Sequence, residues 1–137
     1  MRLILLDVQL KPLTEDADSP NEAYVVLSLR NQRVIGRYTP EKDQDELATI
    51  ATATLDAVQQ ALPVPVRLNL KNAIKLTPPF LDSPLLVVIV DLYYGKSHFE
   101  LTGACQCEES AVNRGIAQAA LDATNRLVSF ILSEQKK

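Results

Sequence analysis

Residues 50–57 read Ile-Ala-Thr-Ala-Thr-Leu-Asp-Ala, and residues 116–123 read Ile-Ala-Gln-Ala-Ala-Leu-Asp-Ala. Six of these eight positions are identical at an offset of 66. Self-similarity at a fixed distance marks a repeated supersecondary unit. At nearly the same offset, Arg2-Leu3-Ile4-Leu5 lies against Arg67-Leu68-Asn69-Leu70, and Gly36 falls near Gly103 in a matching apolar context. The chain therefore reads as one domain over residues 1–137, duplicated as 1–63 and 64–137.

Each half follows one plan. A first strand is expected from the alternation of Ile4, Leu6, Val8 and Leu10, and of Val66, Leu68, Leu70 and Ile74. Loops rich in proline and acidic residues follow, at 11–21 and 77–84. Hairpins come next, 24–29 returning as 33–39 and 85–93 returning as 97–105. Their turns fall at Arg30-Asn31-Gln32 and Tyr94-Gly95-Lys96, where Asn and Gly accept the positive φ of tight hairpins.

A helix closes each half. Leu47, Ile50, Ala51, Thr54, Leu55, Val58 and Leu62 recur at helical spacing, as do Val112, Ile116, Ala119, Ala123, Leu127, Phe130 and Ile131. Asp43 with Glu46 is the expected capping pair, Pro63 and Pro65 end the first helix, and Glu108 and Glu109 suit the positive end of the second. The fold class is α+β: two βββα units forming a mostly antiparallel sheet, with both helices on one face. Tyr24-Val25-Val26-Leu27 and residues 85–90 are apolar on both faces, so a second subunit is expected to cover part of the other face. A symmetric homodimer follows from that expectation.

Composition narrows the function. The net charge is −3, and the basic residues are scattered singly except for Lys136-Lys137. Phosphate binding needs clustered Lys and Arg, so nucleic acid is not an expected partner. The apolar run at the start stops at Asp7 with no small-residue cleavage site after it, which reads as a strand and not a secretory leader. The run at 85–90 is strand length, far short of the roughly 20 residues that span a bilayer. A cytoplasmic protein without membrane partners is expected, with Cys105 and Cys107 as reduced thiols.

No catalytic residues are expected. His98 is the one histidine, no Gly-x-Ser-x-Gly elbow occurs, and Cys105 stands seven residues away along the same strand. Cys105, Cys107 and His98 are too few for a closed zinc site, so no metal is expected. Four glycines cannot build a glycine-rich phosphate cradle, and no cofactor is expected. Asp56 and Asp122 are related by the repeat, and read more readily as helix-surface aspartates than as functional groups of both halves. Cys107, just before the second helix, is a candidate for a lowered pKa.

The stretch from Val66-Arg67-Leu68-Asn69-Leu70 through 85–91, Gly103 and Ala119-Ala120-Leu121-Asp122-Ala123-Thr124-Asn125-Arg126-Leu127 resembles the C-terminal regulatory domain of 2-isopropylmalate synthase. That domain is also two βββα units, and its last helix carries a similar Ala-Asn-Arg-Leu ending. The resemblance implies subunit joining and leucine binding. It implies no synthase activity, because nothing here resembles the catalytic barrel. The family's glycine-rich loops before the helices correspond to the bulkier Arg37-Tyr38-Thr39-Pro40 and Ala104-Cys105-Gln106-Cys107. The same two-unit pattern is similar to small stand-alone cyanobacterial proteins, among them a chaperone-like factor in carboxysome shell assembly.

Two functions are expected on these grounds. One is a non-catalytic protein-interaction or assembly module that binds a protein or peptide, with Tyr93, Tyr94 and Phe99 as its anchors. The other is a stand-alone sensor for a small molecule of the branched-chain amino acid type. Glu108, Glu109, Asp43 and Glu46 place negative charge at the helix starts, against an anionic ligand there.

Overall fold

The computed structural model describes residues 2–12, 15, 21–40, 45–62 and 66–134. The first unit comprises β1 (Ile4–Pro12), β2 (Asn21–Leu29), β3 (Gln32–Tyr38) and α1 (Glu46–Ala61). The second comprises β4 (Val66–Leu76), β5 (Leu85–Tyr94), β6 (Ser97–Gln106) and α2 (Val112–Glu134), with a short 3₁₀ turn at Glu109–Ala111 before α2. The α+β fold of two βββα units is as expected. The strands divide into two three-stranded antiparallel sheets, β1-β2-β3 and β4-β5-β6, and do not form one continuous sheet.

The helices explain the division. α1 packs on β2 and β3 of its own unit and on β4 of the other, while α2 packs on β5 and β6 and on β1. Each helix therefore sits at a seam between the sheets. The Gln59 side chain donates to the Val66 carbonyl and accepts from the Leu68 N–H at 2.8 Å. At the repeat-related position, Asn125 accepts from the Leu3 N–H at 3.2 Å and donates to its carbonyl at 3.3 Å. Backbone groups of Leu3, just before β1, and of Val66 and Leu68 in β4 are thus bonded by helix amides and not by another strand.

The inner faces of the sheets meet the helices. Ala23, Val25 and Leu27 of β2 and Leu86, Val88, Val90 and Leu92 of β5 are fully buried, against Ile50 and Val58 of α1 and Ile116 and Leu121 of α2. Each such Val, Leu or Ile contributes roughly 1.5–3 kcal/mol by leaving water.

The quoted repeat has a packing cause. α1 crosses β3 at Gly36, where a Cβ would stand 2.6 Å from Ala57 N and nearer still to the Ala53 carbonyl. α2 crosses β6 at Gly103, where a Cβ would stand 2.7 Å from Ala123 Cα and nearer to Ala119 O and Ala123 N. Beside each crossing a helix aspartate accepts a strand N–H at 3.0 Å, Asp56 from Arg37 and Asp122 from Ala104. Glycine on the strand, alanines on the helix and an aspartate one position before the second alanine form one docking device, used twice.

Several local expectations are corrected. A bulge between Leu5 and Asp7 shifts the register of β1, so Leu3 and Leu5 are buried while Ile4 and Leu6 are exposed. A matching bulge between Leu70 and Asn72 turns Ala73 inward in place of Ile74. Asp45 caps α1 by accepting from the Leu47 N–H at 3.3 Å. The expected cap Asp43 and the prolines Pro63 and Pro65 lie outside the described residues. The first hairpin turn is Arg30-Asn31, both at positive φ, and Gln32 already belongs to β3.

Candidate functional site

β6 is an edge strand, and α2 overhangs part of it. Because the Ala104 N–H points outward to Asp122, the alternation of an antiparallel ladder turns the N–H and C=O groups of Thr102, Glu100 and His98 outward as well. Toward the turn from Gly103, the two elements bound a cleft of about 650 Å³. Phe99 and Leu101 form its strand wall, and Arg126, Leu127 and Phe130 its helix wall. Phe130 is 60% exposed and Phe99 41%, large values for apolar rings.

The first unit shows the same place closed. Gln60, the repeat counterpart of Arg126, donates to the Ile35 carbonyl at 2.8 Å and to Asp56 Oδ2 at 3.1 Å. It satisfies the edge carbonyl that corresponds to Thr102 O. Gln32 and Ala61 stand where the second unit has Phe99 and Leu127. α1 ends at Ala61, whereas α2 continues through Phe130. Arg126 makes no hydrogen bond or ion pair with the described residues. The duplication is therefore broken at an apolar groove beside a sheet edge that no other described strand pairs.

The expected anchors separate. Phe99 lines the groove. Tyr93 lies on the opposite face of the sheet, stacked on His98 with ring centroids 4.6 Å apart. Tyr94 ends β5 beside the Gly95-Lys96 turn, 41% exposed and outside the groove lining. Leu127 and Phe130, read from sequence as part of a helix stripe, are the missed wall residues. The sequence signal at Leu127 was the much smaller Ala61 at the repeat-related position.

Two polar groups occupy the outer faces of the sheets. On the second sheet, His98 Nε2 is 2.9 Å from Asp91 Oδ1, and Lys71 pairs with Glu100. Cys105 lies at the far end of the same strand, about 24 Å from His98 at strand spacing, so the two do not form a nucleophile–base pair. On the first sheet, Arg37 bonds Glu22 at 3.2 Å, and the Tyr24 ring is flanked by Arg37 and Lys11 at 5.3 and 5.6 Å. A hydrogen bond with Tyr24, then those from Thr39 and Arg37, hold Glu22 below its ordinary pKa against the opposing effect of burial.

The thiols behave as packing groups. Burial raises both above the ordinary value, helped by Asp122 at Cys105 and by Cys105 and Glu109 at Cys107. The expected lowering at Cys107 is thus reversed, because desolvation and nearby negative charge outweigh the helix start. Among the described residues, no group of three or more His, Cys, Asp or Glu side chains could hold a metal ion. No described helix is long and apolar enough to cross a membrane.

A scan against protein-family models finds no match, and a search of curated proteins finds none.

Proposed function

We propose that this chain is a non-catalytic protein-interaction module that captures an extended segment of a partner along β6, and that it acts as a homodimer. The observation that supports it is the break in the duplication. Where the first unit bonds its edge carbonyl with Gln60, no described residue bonds the corresponding edge of β6 beside Phe99, Leu127 and Phe130. An added strand would satisfy the outward backbone groups of His98, Glu100 and Thr102 and set alternate side chains on the apolar wall. The resemblance to stand-alone assembly factors fits such a role, with shell-forming proteins as the partner class. Amino acid sensing is less favoured, since Asp45 and Glu46 occupy the start of α1.

Panning a displayed peptide library on the folded protein tests the groove. Selected peptides should lose at least tenfold in affinity for Phe130→Asp, and protect the His98, Glu100 and Thr102 amides from exchange. Unchanged affinity for that variant would place binding elsewhere.

Dimerisation is assigned to the outer face of the second sheet. Leu76 is exposed there, beside half-buried Ile74, Leu85, Val87 and Ile89 in adjacent register. Sedimentation at micromolar concentration should give a dimer mass, and a monomer throughout would remove this part of the proposal.

A further inference from the structure

Resting on the groove as a strand-binding site, we infer that its partner segment carries a carboxylate, which pairs with Arg126. The charges around the groove lead to this chemistry. Glu100, on the outer face of β6 beside the groove, is already paired with Lys71 from β4. Asp122, one helical turn before Arg126, accepts the Ala104 N–H and forms no ion pair with the guanidinium. Arg126 thus has no partner among the described residues. It stands in the groove lining between Ala123 and Leu127, beside the apolar wall that would hold alternate side chains of an added strand.

The repeat adds a second observation. At the equivalent place Gln60 bonds its own strand edge, so a side chain here reaches the edge without a partner's help. Arg126 does not close the edge. A guanidinium in the groove lining presents a planar pair of donors that matches a carboxylate. A segment with a lysine at that point would meet like charge instead. The occupant is therefore an extended protein segment that continues along β6, with apolar residues at alternate positions and one Asp or Glu side-chain carboxylate opposite Arg126.

The probe is a displayed library of ten-residue segments with apolar residues fixed at alternate positions and the others varied. Panning on the wild-type protein should enrich Asp or Glu, and panning on Arg126→Glu should enrich Lys or Arg instead. Replacing the selected Glu by Gln should weaken binding to wild type about fivefold, as for a partly exposed ion pair. The same replacement should leave binding to Arg126→Gln unchanged. Amidating the C-terminus of the best peptide should leave its affinity unchanged, and loss of binding on amidation would overturn the side-chain assignment.

Selected peptides with no charge preference, equally tight on wild type and Arg126→Glu, would overturn the inference while leaving the groove in place. Peptides that bind Phe130→Asp as well as wild type, or no binders at all, would overturn the groove itself. Thermal melts of both Arg126 variants show that each compared protein is folded.

Discussion

Replacing Gly103 by alanine tests the docking of α2 on its sheet. The new Cβ would stand 2.7 Å from Ala123 Cα and closer to two further backbone atoms of the helix. Backbone atoms cannot rotate away, so relief needs the helix and strand to part by about 1 Å, and overpacking of this kind destabilises by roughly 1–3 kcal/mol. A shift of that size also stretches the 3.0 Å bond from the Ala104 N–H to Asp122. Hydrogen bonds to charged groups contribute about 1.5–3 kcal/mol when intact, and part of that would be lost. The sum is a loss of about 3 kcal/mol, near the upper end for a single methyl group. Urea denaturation followed by circular dichroism measures it, with an unchanged slope expected if the unfolded state is unaffected. Gly95→Ala is the control: its Cβ meets nothing within 4 Å, and its φ of +61° alone should lower stability by about 1 kcal/mol. If Gly103→Ala lost less than Gly95→Ala, the close approach would not be what requires glycine there.

Two further outcomes are expected. Asn125→Ala should destabilise by about 2 kcal/mol in the same urea assay, because it leaves the Leu3 N–H and carbonyl without their side-chain partner in a buried seam; a change below 0.5 kcal/mol, on the order of a surface substitution, would argue against the amide bridge between units. Glu22, held below its ordinary value of 4.5, contributes stability that is fully present above that pH and is lost as pH falls through its lower folded value. Glu22→Gln should therefore be less stable than wild type at neutral pH, with the gap narrowing below pH 4.5 in thermal melts; a gap independent of pH would refute the assignment.

The sequence by itself determined the two βββα units, because the duplicated helix segment reflects a packing requirement. Ile50-to-Ala57 and Ile116-to-Ala123 repeat since each helix must bring small residues against a strand glycine and an aspartate onto a strand N–H. Helical spacing and the apolar hairpins placed the elements around that crossing. Register was not legible in the same way. One extra residue at each bulge reverses the faces of Ile4 and Ile74, and periodicity alone does not locate a bulge.

Nor did the pattern show that the strands form two sheets, since that depends on which backbone edges Gln59 and Asn125 reach across the seams. The groove belongs to the tertiary structure for a related reason. Leu127 and Phe130 continue the apolar spacing of α2 and so read as core. The placement of α2 across β6, with no other described element pairing that strand, leaves those side chains beside its outward edge.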